Sequence, residues 1–130
     1  MKLFIAIAST AILSAGTAYA DCSYPTPPDH IPDGNTATLQ EMVTAQKAVK
    51  DYDKAINAYV ACIQLERDTA ISGLAKPGDS PTADQKKAIE DRRRVEIQKH
   101  NAAIDQLQSV ADRFNEQVKV YKSKTDKSKG

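Results

Sequence analysis

Residues 73–82 read GLAKPGDSPT, and this stretch decides the fold. Glycine and proline punctuate local structure more strongly than any other residues, and Pro77, Gly78 and Pro81 fall close together here. Long unbroken runs lie on both sides, so Lys76-Pro77-Gly78-Asp79-Ser80-Pro81 predicts a stop and a restart between two helices, with the turn at 76–81. Upstream, the helix-compatible run reaches back to Thr38. Thr38 followed by Glu41 fits a capping box, in which the hydroxyl accepts from the Glu41 amide and the carboxylate reaches back. From there to about Ala75 the one strong interruption is Gly73. Downstream, Ser80 before Pro81 or Thr82 before Gln85 can cap the second helix, which runs to about Tyr121.

Both helical runs carry a seven-residue repeat. In the first, Met42, Val49, Ile56, Ile63 and Ala70 alternate with Ala45, Tyr52, Tyr59, Glu66 and Gly73. In the second, Ile97, Ile104, Ala111 and Val118 alternate with His100, Leu107, Phe114 and Tyr121. Sustained apolar heptads are the pattern of a left-handed helical pair. Folding the chain about Ser80 gives facing residues whose numbers total about 160. Ile56 then meets Ile104, Ala45 meets Phe114, and Glu66 falls opposite Arg93 and Arg94. The predicted fold is all-α: a long antiparallel two-helix hairpin over 38–122, coiled-coil-like.

The segment before the first helix differs in kind. Residues 21–37 carry Pro25, Pro27, Pro28 and Pro32, which exclude helix and favour an extended course. Pro32-Asp33-Gly34 is a turn sequence. Cys22 and Cys62 are the two cysteines of the chain, and an internal disulfide is the simplest reading, with an intermolecular bridge as the alternative. Geometry constrains the internal bond. Cys62 lies roughly 36 Å along its helix at 1.5 Å per residue. An extended segment from Cys22 to the helix start reaches about 50 Å. The bond therefore requires a Pro-rich strap running back along the helix, beside the small residues Ala48 and Ala55.

Residues 1–20 look like a cleaved signal peptide. Lys2 precedes an apolar run from Leu3 to Ala15, and Ala18-Tyr19-Ala20 offers small residues for cleavage between Ala20 and Asp21. The run is short for a membrane span. The expected location is therefore the periplasm or the cell exterior, an oxidising setting that suits a disulfide. Residues 21–130 hold 17 basic and 17 acidic side chains, a balance that argues against a general polyanion binder such as a nucleic-acid protein. Residues 21–79 hold five basic and nine acidic groups, and 80–130 hold twelve and eight, which favours the two halves lying side by side. Residues 123–130 read as a Lys-rich, flexible, solubilising tail.

Candidate chemistry is sparse. His100 occupies a seam position across from Tyr59 with no second ligand on its face, and His30 stands in the strap between Asp29 and Asp33. Neither gives the converging set that a metal requires. Glu66, Asp68, Glu90 and Asp91 have Arg92, Arg93 and Arg94 at hand and read as ion pairs. No Cys-x-x-Cys, haem attachment motif or Gly-rich phosphate loop occurs, and no serine has a histidine in triad-like context. The expectation is a non-enzymatic protein with no cofactor and no metal.

Cys22 with Pro27-Pro28 and Ile31-Pro32-Asp33-Gly34, then Tyr59-x-x-Cys62-x-x-x-Glu66, then Arg113-Phe114-Asn115-x-Gln117, resembles small uncharacterised exported helical proteins of Gram-negative bacteria. The layout is also similar to that of periplasmic helical-hairpin chaperones. The expected function is an interaction module, an adaptor or chaperone-like binder of an envelope protein. The alternative is a small-ligand or metal carrier with a pocket near Tyr59 and His100. A hairpin covers one stripe of each helix, so the flanking apolar residues Ile89, Ala103 and Val110 are expected to line an exposed interface. That interface would take a second copy in a four-helix bundle or a partner's helix.

Overall fold

The computed structural model of the chain describes residues 22–128, so the signal-peptide assignment of residues 1–20 lies outside the described residues. Two helices, α1 (Leu39–Ser72) and α2 (Ala83–Lys127), pack antiparallel as a hairpin, and an extended strap joined by the Cys22–Cys62 disulfide precedes α1. The same device starts both helices. Thr38 Oγ1 accepts from the Glu41 amide at 3.3 Å while the Glu41 carboxylate accepts from the Thr38 amide at 2.7 Å. Thr82 and Gln85 repeat the arrangement at 3.3 and 2.8 Å, so Thr82 rather than Ser80 is the cap. Each box satisfies two amides that the first turn would otherwise leave unpaired. α1 stops at Ser72, shorter than expected. The Gly73 amide closes onto the Thr69 and Ile71 carbonyls, and Leu74 donates to Ile71 in a tight final turn. Gly78, at φ 91°, makes the turn that only glycine takes without strain.

α2 runs six residues past Tyr121, through most of the segment expected to be a flexible tail. Side-chain bonds hold this extension. Lys124 Nζ donates to the Ala37 carbonyl at 2.9 Å and sits 4.9 Å above the Tyr121 ring. Thr125 and Ser128 hydroxyls donate to carbonyls in the preceding turn at 2.8 Å. Lys124 and Lys127 also place positive charge where the helix dipole is negative.

The seam of α1 is as its heptads predict: Met42, Ala45, Tyr52, Ile56, Tyr59 and Ile63 are buried. On α2 the buried set is Glu96, Ala103, Val110 and Phe114. Phe114 belongs to the expected seam, with Leu107 and Tyr121 half-buried beside it. The companion stripe has changed, however. Ile97 and Ile104 are exposed, and Ala103 and Val110 are wholly enclosed in their place. α2 is turned about its axis relative to the heptad reading, and Ile56 has no core partner in Ile104.

The strap explains the rotation. It lies in the groove between the helices instead of along α1 alone, and so it touches α2 as well. The Gly34 amide donates to Gln117 Oε1 at 2.9 Å, and the Gly34 backbone approaches Gln117, Val120 and Tyr121 so closely that no Cβ fits. A third element between two helices requires small residues on the flank it covers. α2 offers Ala103 and Val110 on that side and isoleucines on the other. The hairpin has therefore become a three-element core, with the strap-covered flank as its centre.

Candidate functional site

Of the interface expected from Ile89, Ala103 and Val110, the last two are not available to a partner. Ala103 and Val110 are fully buried against Tyr52, Ile56, Tyr59 and Ile63, and Ile89 is half-buried. The residues read as flanks are core because the strap draws that side of α2 inward. What it leaves uncovered is the other flank. Ile97 is 54% exposed and Ile104 37% exposed, and Ala111 and Val118 continue the seven-residue spacing half-buried. At ~100° per residue this stripe lies across the core stripe from Gln117, Val120 and Lys124, which face the strap. Ile97 lines a shallow depression with Arg67, Ile71, Arg93 and Glu96, and walls a second with Glu90, Arg94 and Gln98. Ile97 and Ile104 thus form an apolar stripe rimmed by charges.

Toward the turn the seam becomes ionic. Glu96 continues the stripe of Ala103 and Val110 and is 7% exposed, and its carboxylate accepts from Arg67 Nη1 at 2.8 Å. Arg67 also holds Asp68 at 2.9 Å, and Glu66 faces Lys99 at 3.9 Å. The self-neutralising end was expected from Glu66 opposite Arg93 and Arg94. The observed partners differ because the register is shifted: Arg67 with Glu96 totals 163. A buried carboxylate is tolerable only with a charged, hydrogen-bonded partner, which Arg67 supplies.

At the strap end, three tyrosines converge. Tyr24 packs edge-to-face on Tyr59, ring centres 5.1 Å apart, and Tyr59 is almost buried. Tyr52 is 3% exposed, and its hydroxyl is buried with no hydrogen-bond partner among the described residues. The Tyr24 hydroxyl lies beside it but falls short of bonding geometry. Burial, with Tyr24 adding to it, pushes the Tyr52 phenol from its ordinary 10 up to about 12. Burial pushes Tyr59 up as well. In the unfolded chain Tyr52 ionises at its ordinary value, so the stability it carries is complete below pH 10. That stability is lost as the pH rises through about 12. Alkaline titration of tyrosinate absorbance is expected to show late ionisation from both buried tyrosines, and Tyr52→Phe should remove the part near pH 12. The same substitution deletes an unsatisfied buried hydroxyl, so folding stability is expected to stay level or rise by up to about 1 kcal/mol. A clear loss of stability would mean that the hydroxyl has a partner.

The carrier alternative finds no support in this geometry. Tyr59 is covered by Tyr24, and the half-buried His100 places Nδ1 3.3 Å from Asn101 Oδ1. Among the described residues no three His, Cys, Asp or Glu side chains converge as metal ligands would. Ile97 and Ile104 are spaced as a seam is, so the sequence does not mark them as surface. Only the strap's second contact, on α2, distinguishes the two stripes. Comparison with protein-family models, curated proteins and solved structures finds no match for this chain.

Proposed function

We propose that this chain is a non-enzymatic interaction module, an adaptor or chaperone-like binder that engages a helix of an envelope protein in the periplasm or outside the cell. The observation that carries this reading is the stripe of Ile97 and Ile104 on the flank the strap leaves open. Single exposed apolar side chains are ordinary on any surface. Two isoleucines a heptad apart, bordering a groove and continued by Ala111 and Val118, form the anchor pattern that a partner helix buries. The disulfide supports an oxidising compartment, and the leader-like residues 1–20 support export. Among the described residues no helix is long and apolar enough to cross a membrane.

The test is the Ile97→Glu/Ile104→Glu chain beside the wild type. Both side chains stand outside the core, so helicity and melting are expected to change little. Crosslinked capture of an envelope partner should fall by tenfold or more, on the order of 1.4 kcal/mol per tenfold step. Sedimentation separates the other occupant, a second copy in a four-helix bundle. Wild type that is monomeric at high concentration and captures no partner would sink the reading, as would a double variant that captures as well as wild type.

A further inference from the structure

The strap divides into two parts held by different means. Residues 31–37 are built in. Pro32, Gly34 and Ala37 are buried, Gln117 and Lys124 bond the backbone at Gly34 and Ala37, and the Asp33 carbonyl accepts from Thr36 and Ala37. Residues 22–30 have no such ties. Among the described residues no hydrogen bond with proper geometry involves residues 22–32. This arm rests on the covalent bond at Cys22, the contact of Tyr24 on Tyr59, and the half-buried rings of Pro25, Pro27 and Pro28.

The surface beneath the arm has a definite chemistry. A segment rich in proline lacks amide donors and offers ring faces and carbonyl acceptors in an extended, preformed shape. Grooves that recognise such segments present aromatic side chains. Tyr59 supplies the ring that Tyr24 already engages, and Tyr52 supplies a buried hydroxyl donor that nothing satisfies. Ala48, Ala55 and Cys62, all half-buried, leave room along α1.

We propose that this face of α1 is a docking groove for an extended proline-rich segment of a partner protein, with residues 22–30 as its tethered occupant and the Cys22–Cys62 bond as the lock. The partner segment is of the type Tyr24-Pro25-Thr26-Pro27-Pro28 displays: an aromatic followed by spaced prolines. A dithiol reductant opens the lock. One of its thiolates attacks Sγ of Cys22 or Cys62 and expels the other sulfur as a thiolate. Its second thiol then resolves the mixed disulfide, leaving an oxidised reductant and two protein thiols. Both cysteines are half-buried rather than enclosed in the core. Once unlocked, the arm still competes at an effective concentration on the order of 1 mM. This proposal is independent of the Ile97 stripe.

The experiment uses a fluorescent peptide of residues 23–30 and measures its anisotropy with two full-length proteins. One is the disulfide-intact wild type; the other is Cys22→Ser/Cys62→Ser/Tyr24→Ala, which unlocks the arm and weakens its own anchor. The expected result is binding at least about tenfold tighter to the unlocked chain, lost when the three peptide prolines become alanine, and weakened by Tyr52→Phe. Equal binding to both proteins, or to the proline-free peptide, overturns the proposal. Should the triple variant lose helicity, the Cys22→Ser/Cys62→Ser chain, which unlocks the arm and keeps its Tyr24 anchor, takes its place. Binding above wild type then supports the groove, and binding equal to wild type overturns it. The Ile97→Glu/Ile104→Glu substitutions, made in the unlocked chain, should leave peptide binding unchanged, so the groove and the interaction-module reading fail separately.

Discussion

Gly34→Ala is expected to be among the most damaging single substitutions in the chain, at a cost of about 3 kcal/mol or more. A Cβ there would stand 2.3 Å from the Gln117 carbonyl oxygen, 2.7 Å from the Tyr121 amide nitrogen and 2.9 Å from Val120 Cβ. Two of those atoms are backbone of α2 and cannot swing aside. Either the strap lifts, losing the Gly34 amide bond to Gln117, or α2 shifts and opens the cluster around Phe114. Denaturant midpoints measure the loss, with Gly73→Ala as the control. At Gly73 an added methyl meets nothing nearer than 3.6 Å, on a backbone that is already helical, so that change is expected to be neutral or mildly stabilising. Equal midpoints for the two variants would mean that the strap does not sit against α2.

Removing the disulfide is the second large effect. The bond closes a loop with a sequence separation of 40, and chain entropy puts its contribution at roughly 4 kcal/mol. Small domains are stable by about 5–15 kcal/mol in all, so that is a substantial share. Cys22→Ser/Cys62→Ser is expected to keep its helices but to unfold at a distinctly lower denaturant concentration. Reductant should move the wild-type midpoint to the same place. A midpoint indifferent to reductant would show that the strap is held by its contacts alone. Thiol titration of the unreduced wild type should find no reactive cysteine.

Much of the architecture is legible in the sequence because it depends on short-range rules. The two capping boxes follow from residue types three apart, and the α1 seam follows from heptads with bulky residues on one face. The internal disulfide is the simplest reading of two cysteines, and reach then requires the Pro-rich arm to run back along α1. The rotation of α2 is not legible in the same way. Its apolar residues occupy three adjacent stripes, led by Ile97, His100 and Ala103, and any two could face α1. The choice belongs to the strap, which contacts α2 at Gly34 and Ala37, and periodicity carries no record of a third element. Periodicity alone therefore places Ile97 and Ile104 in the core and leaves Ala103 and Val110 as flanks, the reverse of the fold. Glu96 was missed for a related reason. A glutamate in a run of arginines reads as solvated until the fold seats it against Arg67. The length of α2 was underestimated because Lys124 looks like tail until Ala37 is placed beside it.

The contacts that seat the strap also tie the two ends of the described chain together. Gly34 bonds to Gln117 and Ala37 to Lys124, partners 83 and 87 positions apart in sequence. A chain made from its amino end presents both cysteines long before either partner exists. The Cys22–Cys62 ring itself needs nothing from residues 117–124 to close. Residues 117–124 act as a keystone: they complete a cleft whose other wall lies near the opposite end of the described chain. Such non-local closure is the slow step in folding, and intermediates that wait for it expose apolar surface. An early ring shortens that wait by confining the strap near its final seat before α2 docks.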